Sequence, residues 1–251
     1  MNSPKHIGIA SITAEGGALA YREIVHASGK MLGRNHHPEI SLHSHSFSKF
    51  FDSPDQQHTV WQELMIESSA KLASAGAEFF ICPANTNHIV FDSVQNSLAL
   101  PWLHIAEVVA EQANNVGCKR TLLLGTQALM QGGVYSPFFA ARNIELHLPE
   151  EVEQEKLNRL IYEELVHGNV VDSSRNFVER LIEAHVTKHQ CDSVILGCTE
   201  LPLLLEDFSP GMTILDSTRL IAHGAIALSI GLSLSEVERL ITNKSSGEPG
   251  G

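Results

Sequence analysis

Short apolar runs alternate with longer amphipathic segments along most of this chain. The runs are rich in branched and aromatic residues, which is typical of buried strands. They predict strands at residues 6–10, 39–43, 77–83, 100–105, 120–126, 143–147 and 192–196. Helical spacing predicts helices at residues 18–32, 60–75, 107–109, 154–165, 174–189 and 217–230. Strands that alternate with helices in this way predict an α/β fold built on parallel sheets.

The second half of the pattern repeats the first. A strand and then a small polar loop open both halves, near Ser11 and near Thr126. The separation from Ser11 to Ala84 is almost the same as that from Thr126 to Cys198, and a predicted strand ends close to each of the four. A repeat of this kind indicates a duplicated α/β unit. Because ligands bind at the carboxyl ends of parallel strands, we expect the two halves to face each other across a cleft.

The pattern also predicts the domain boundaries. We expect a first domain of residues 1–99 together with 214–242, because the last predicted helix would pack back on the first half. The second domain would comprise residues 100–213. Residues 243–251 are rich in Ser, Gly and Pro, a composition typical of a disordered tail.

Composition narrows the choice of partners. The 251 residues carry a formal net charge of −12, so we expect no nucleic acid and no anionic membrane as partner, since both require a basic surface. A small anion is still possible, because a few local donors can bind it. The start of the chain is polar, no long apolar segment occurs, and the four cysteines lack a CxxC spacing. We therefore expect a cytoplasmic protein with free thiols.

Cys198 stands at the point where the buried strand of residues 192–196 has ended at Gly197. At the carboxyl edge of a parallel sheet, a thiol can face a ligand, and the positive end of a following helix would favour its thiolate form. A free cysteine is equally often a small buried apolar residue. This stretch alone does not decide between the two interpretations.

Two loops resemble the aspartate/glutamate racemase family. They read Ala84-Asn85-Thr86-Asn87-His88 and Gly197-Cys198-Thr199-Glu200, where the family commonly has Cys-Asn-Thr-x-His and Gly-Cys-Thr-Glu. Supporting matches are Tyr21-Arg22-Glu23-Ile24, His104-Ile105-Ala106, Leu124-Gly125-Thr126 and Ile161-Tyr162-Glu163-Glu164-Leu165. The matches extend over nearly the whole chain, and the second loop is the most specific of them.

The resemblance implies two similar flavodoxin-like domains related by a pseudo-twofold axis, with the active site in the cleft between them. It also implies an isomerase that racemises an amino acid or a related carboxylate without a cofactor, and a homodimer. In such a mechanism two thiols on opposite sides of Cα exchange the roles of base and acid. Cys198 matches one of these thiols, and Asn85, Thr86 and Thr199 match residues that bind the substrate. Ser11 and Thr13, on the corresponding edge of the first strand, are expected to help.

The chain departs from the family at the other thiol, because Ala84 occupies its position and cannot carry a proton. Cys82 lies one step deeper on the same strand face and is not expected to replace it. Three hypotheses stay open. Racemisation continues with water or another group as the second acid, with reduced or one-sided activity. Alternatively, Cys198 acts alone, as in arylmalonate decarboxylase-like members, or the chain binds an amino acid without turnover.

Several other polar residues are given structural roles. The histidines His36, His37, His43 and His45 crowd one region, but no cysteine or carboxylate completes a metal-ligand spacing, so we expect no metal there. His88 is expected to orient its loop through a backbone hydrogen bond. Lys49 and Arg34 are expected to be solvated. Glu200 and Asp216 are interpreted as capping or structural, and Ser217 as the N-cap of the last helix.

Overall fold

The computed structural model describes residues 3–51, 56–205, 208 and 211–245. Every predicted strand is present, although the boundaries shift by a few residues. The strands are β1 (Ile7–Ser11), β2 (Ile40–Ser44), β3 (Phe79–Ile81), β4 (Trp102–Leu103), β5 (Arg120–Leu124), β6 (Glu145–His147), β7 (Ser193–Leu196) and β8 (Thr213–Asp216).

The strands form two parallel sheets with the same topology. The order is β2-β1-β3-β4 in the first sheet and β6-β5-β7-β8 in the second, so each half of the chain builds an equivalent four-stranded sheet. All pairings within both sheets are parallel. Equivalent sheets formed in equivalent chain order confirm the predicted duplicated α/β fold. The carboxyl ends of all strands in a parallel sheet lie at one edge, and the loops that contain Ala84 and Cys198 begin at these edges.

Helices cover both sheets. Those in the described residues are α1 (Ala14–Leu32), α2 (Gln57–Ser74), α3 (Phe91–Val94), α4 (Ile105–Asn115), α5 (Gln127–Gln131), α6 (Ser136–Ala140), α7 (Glu151–Glu163), α8 (Asp172–His189), α9 (Leu201–Leu204), α10 (Ser217–Ile230) and α11 (Leu234–Ser245). The helix α1 begins four residues before its predicted start, because Thr13 caps it by accepting a hydrogen bond from the Gly16 N–H.

The C-terminal helices pack on the first half of the chain, as the sequence predicts for α10. This helix lies against α1 and α4, and α11 lies against α1 and α10. His223 on α10 contacts Glu23 on α1 and Glu238 on α11. Burial lowers the pKa of His223, but the two carboxylates more than offset this and hold it at about 9. A charged imidazole between two carboxylates therefore ties the three helices together.

The sheets divide the chain at points slightly different from the predicted domain boundaries. The predicted boundaries assign residues 102–103 to the second domain, but these residues pair with β3 in the first sheet. They assign residues 214–216 to the first domain, but these residues pair with β7 in the second sheet. Short strands at a sheet edge are assigned by their hydrogen bonds, which the apolar pattern does not reveal. The division into two folding domains itself remains a prediction.

The predicted tail needs a correction at its start. Residues 243–245 belong to α11, a helix that the sequence analysis missed, and residues 246–251 lie outside the described residues. The helix forms because Leu234 and Val237 are buried against the rest of the fold. No single helix in the described part is long and apolar enough to cross a membrane. Among the described helices, one pair, α10 with most of α11, passes that test together, and it is bent by 111°.

Candidate active site

A cavity lies where loops from both halves of the chain meet. It holds about 570 Å³ of empty space, part of which is open to solvent. The loops that follow β1, β3, β5 and β7 all contribute to it, so the duplicated sheets bring their corresponding edges together. The polar residues of its lining are Thr13, Asn85, Thr86, Asn87, Thr126, Tyr162, Cys198, Thr199 and Glu200. The cleft between two like halves that the sequence predicts is therefore present.

Cys198 lines this cavity immediately after β7 and is 9% exposed. Its Sγ donates a hydrogen bond to Glu200 Oε2 at 3.0 Å. Burial raises the pKa of the Cys198 thiol well above its usual range, and Glu200 raises it further by its negative charge and by accepting the thiol's hydrogen bond. The backbone N–H groups of Glu200 and Leu201 lower it, but do not offset these effects. The resting group is a thiol.

This state corrects the expectation of a thiolate favoured by a helix terminus. The helix α9 contains only Leu201–Leu204, so its dipole is weak. The carboxylate of Glu200 lies 3.0 Å from the sulfur, and the rise in the thiol pKa that it causes exceeds the lowering by this dipole. Glu200 was interpreted as capping or structural, but its side chain lines the cavity and accepts the thiol's hydrogen bond. It is therefore placed to receive the thiol proton.

The first loop presents no proton carrier at the equivalent place. Ala84 lines the cavity as predicted, but its methyl group is inert. The thiol of Cys82 lies inside the core and contacts the Ala84 carbonyl oxygen at 3.7 Å, and burial raises its pKa to about 12. Cys82 is not part of the cavity lining, in agreement with the expectation that it does not replace the missing thiol.

Asn85 connects this loop to the rest of the molecule. Its Nδ2 donates to Ser217 Oγ at 2.9 Å, and its Oδ1 accepts a hydrogen bond from the Tyr135 hydroxyl. The side-chain amide of Asn85 lines the cavity but is engaged on both sides by protein groups, so it holds the loop in place. Ser217 does not cap α10, because Asp216 accepts from the N–H groups of Thr218 and Arg219 and is the N-cap.

Threonines join the loops of the two halves. Thr86 Oγ1 lies 2.8 Å from Thr126 Oγ1, and Thr126 also caps α5 by accepting from the Leu129 N–H. Thr199 packs closely on the first turn of α1, where a Cβ added to Gly16 would come within 2.7 Å of the Thr199 methyl group. The prediction omitted Thr126 as a site residue, although it occupies the same place in the second half as Thr13 in the first, since each caps the helix that follows its strand.

Ser11 is the one predicted contact that the structure does not bring to the cavity wall. Its hydroxyl donates to the Thr13 carbonyl oxygen at 2.7 Å and lies against the backbone of Gly17, where an added Cβ would be only 2.1 Å from Ser11 Oγ. A side chain larger than hydrogen at position 17 would collide with it. Ser11 therefore shapes the turn that presents Thr13, whose side chain does reach the lining.

Another part of the lining is apolar. We define the apolar wall as Phe47, Phe50, Phe51, Trp61, Ile161 and Val166. No lysine, arginine or histidine occurs among the described lining residues. Lys49 and Arg34 are exposed, as predicted. The sequence analysis missed the wall because its members come from distant segments. In the sequence these apolar residues cannot be told apart from ordinary hydrophobic-core residues.

Tyr162 also lines the cavity, next to the apolar wall. Burial raises the pKa of its phenol, and the negative charge of Glu200, together with that of Cys198 whenever its thiol is ionised, raises it further. Its ring also packs edge to face on Phe51. The motif around Tyr162 supported the family resemblance, but no role for this side chain was predicted from it.

The predicted histidine roles can now be compared with the structure. His88 Nε2 donates to the Cys82 carbonyl oxygen at 3.0 Å, which confirms its role in orienting the loop. His43 contacts Ser68 Oγ and His45 contacts the Leu64 carbonyl oxygen, so each ring is engaged by protein groups. Within the described residues, the fold also brings together His147, His185 and His189.

Comparison with known proteins agrees with the geometry. The family model for Asp/Glu/Hydantoin racemase matches residues 9–225. The broad specificity amino-acid racemase RacX of Bacillus subtilis is 24% identical over 191 residues, which are 76% of this chain and 82% of that protein. An aspartate racemase homologue from Pyrococcus horikoshii is 32% identical, with a TM-score of 0.78 over 90% of this chain and 99% of that one.

A more distant structure shares the fold. The glutamate racemase of Francisella tularensis, solved in complex with D-glutamate, is 16% identical and has a TM-score of 0.64. The match covers 93% of this chain and 83% of the other.

Proposed function

The chain belongs to the Asp/Glu/Hydantoin racemase family, and on that premise we propose that it is a cofactor-independent amino-acid racemase in which Cys198 transfers the proton at Cα. The observation that carries this proposal is the hydrogen-bonded pair of Cys198 and Glu200 at the wall of a cavity between two like halves. In this pair the Cys198 thiol is the acid, and the Glu200 carboxylate beside it can accept its proton.

The pair provides both proton-transfer directions on one face of the substrate. As an acid, the Cys198 thiol donates its proton to a planar Cα carbanion. As a base, its thiolate must form first, and Glu200 is placed to take the thiol proton at 3.0 Å. The entering α-ammonium group brings a positive charge towards this pair, which favours the ionised sulfur. Substrate binding thus compensates for the burial that keeps the resting thiol neutral.

The other face of Cα meets the loop of Ala84, whose described lining residues, Ala84 to Asn87, carry no acid or base. We infer that water supplies the second proton there. Inversion then depends on a poorly positioned acid, whereas exchange on the Cys198 face does not. The expected activity is one-sided: hydrogen at Cα exchanges with solvent faster than the configuration inverts.

The rest of the lining suggests how the substrate lies. The hydroxyl groups of Thr13, Thr86 and Thr199, together with loop N–H groups, are suited to the α-carboxylate. The apolar wall is suited to an apolar side chain. A second carboxylate would meet this wall without a cation among the described lining residues, and burying an unpaired charge is costly. We therefore propose apolar amino acids as better substrates than aspartate or glutamate.

Exchange of the α-proton tests the function. The full chain is incubated in heavy water with alanine, leucine, phenylalanine, aspartate and glutamate, and the α-proton signal is followed by NMR. The proposal predicts exchange, fastest for the apolar substrates, that falls by about 10²- to 10⁴-fold in Cys198→Ala. Equal exchange by Cys198→Ala would contradict it. Binding of an amino acid without any exchange would instead identify a non-catalytic binder.

A second candidate is a decarboxylase that uses a single thiol. The combination of Ala84 with the apolar wall favours it, because loss of carbon dioxide creates the carbanion and one acid then protonates one face. Release of carbon dioxide from an aryl-substituted malonate, dependent on Cys198 and unaccompanied by exchange of amino acids, would establish this activity in place of racemisation.

A further inference from the structure

Three histidines from separate parts of the second half converge outside the cavity. His147 ends β6, whereas His185 and His189 lie one turn apart in the last part of α8. One nitrogen from each ring lies within 4.8 Å of the others. From this convergence we propose that His147, His185 and His189 form a zinc site that joins the edge strand of the second sheet to α8.

The ring of His185 is already oriented as a ligand. Its Nε2 contacts Glu153 Oε2 at 3.0 Å, and a carboxylate accepts, so this nitrogen carries the proton. Its Nδ1 therefore carries the lone pair, which accepts a hydrogen bond from His147 Nε2–H at 2.9 Å. Histidines that bind metals commonly donate their second ring nitrogen to a carboxylate in this way. Glu153 is therefore the residue that sets the tautomer.

The spacing of the nitrogens is close to that of a metal site. Zinc binds histidine nitrogen at about 2.0–2.1 Å, so two ligands of a tetrahedral ion lie about 3.3 Å apart. His147 Nε2 and His185 Nδ1 need to separate by only a few tenths of an ångström, with the proton of His147 moving to its other nitrogen. The ring of His189 stacks on that of His147 at a centroid distance of 4.5 Å and must turn to direct its nitrogen inward.

The local charges also suit a divalent cation. The site lies at the C-terminal end of α8, where the helix dipole favours a cation. Arg120 is nearby, but Glu145 neutralises its guanidinium group at 2.6 Å. The cluster is partly exposed, so a water molecule can complete the tetrahedron.

A metal titration tests this site. The full chain is stripped with a chelator and titrated with Zn²⁺ in competition with a chromophoric chelator, and Co²⁺ is used as a spectroscopic probe. The proposal predicts one equivalent of tight Zn²⁺ and a tetrahedral Co²⁺ spectrum without a thiolate charge-transfer band. It predicts at least tenfold weaker binding in His189→Ala and in His147→Ala, both of which are only partly buried.

Two further variants separate ligation from stability. Glu153→Gln keeps the capping box at the start of α7, which glutamine also satisfies, but removes the charge that orients His185. It is expected to weaken Zn²⁺ binding by about 10- to 100-fold. His36→Ala/His37→Ala removes two exposed histidines and is expected to change nothing. Absence of saturable binding, or equal binding by wild type, His147→Ala and His189→Ala, would overturn the proposal.

Discussion

The two loops that follow β3 and β7 occupy equivalent places in the two halves. They differ in whether they present a side chain that can donate or accept a proton at the cavity. The second loop carries a thiol beside a carboxylate, Cys198 and Glu200, directly at the cavity. The first carries Ala84 there, and its polar residue Asn85 is engaged by Tyr135 and Ser217. A duplicated fold can thus keep its symmetric framework while its chemistry becomes one-sided.

Restoring a thiol to the first loop is the largest expected change. Ala84→Cys places an acid on the face opposite Cys198, so inversion of an apolar amino acid should rise by about 100-fold or more. Polarimetry of each enantiomer measures the rate. Ala84→Ser is the matched control, since serine has a similar size but is a far weaker acid. Equal inversion by both variants would show that the missing thiol is not what limits the reaction.

Removing the carboxylate of Glu200 in the second loop should lower the pKa of the Cys198 thiol. Glu200→Gln removes the negative charge that raises the pKa of Cys198 and replaces the carboxylate with a weaker hydrogen-bond acceptor. The thiol therefore ionises at a lower pH. Alkylation of Cys198 by iodoacetamide at neutral pH should become about tenfold faster or more, since only the thiolate reacts. Glu163→Gln, at an exposed position, serves as control. An unchanged pH profile of alkylation would argue against the pair.

If Asn85 holds the first loop in place, removing its hydrogen-bond donor Tyr135 should lower the stability of the protein. Tyr135→Phe leaves the buried Asn85 Oδ1 without its donor, which should lower the free energy of unfolding by about 1–3 kcal/mol. Denaturant unfolding measures this change. Tyr21→Phe, at an exposed tyrosine, should have little effect. A stability loss equal in both variants would refute the role assigned to Asn85.

The contact between the two loops should have the smallest effect. Thr86→Val removes the hydrogen bond to Thr126, which retains its capping bond from Leu129 N–H. The expected loss is about 0.5–1.5 kcal/mol in the same unfolding experiment. An unchanged midpoint would indicate that water replaces the Thr86 hydroxyl at no cost.

Most of the sheet framework was predictable from the sequence. Buried strands such as Ser193–Leu196 are continuous apolar runs, and their repeated spacing indicated the duplication. Short helices such as Gln127–Gln131 and Ser136–Ala140 were missed because they are too brief to show a periodic face. The helix Leu234–Ser245 was also missed, since its polar and charged residues hide the few apolar positions that hold it.

The candidate site was predictable only where it is local in sequence. Cys198, Ala84 and Thr86 follow strands, and strand ends meet at one edge of a sheet. The apolar wall depends on Phe50 and Trp61, which come together through tertiary packing. The state of the thiol depends on the rotamer that brings Glu200 Oε2 to 3.0 Å from Cys198 Sγ. A sequence does not reveal such a distance.

The most direct test compares the two enantiomers of one apolar amino acid in heavy water. The rates of α-hydrogen exchange and of inversion are measured for each, in the wild-type chain and in Cys198→Ala. If Cys198 is the proton carrier on one face only, one enantiomer exchanges with retention faster than it inverts, and the variant loses this exchange. Equal exchange of both enantiomers, or exchange that persists in Cys198→Ala, would contradict the account.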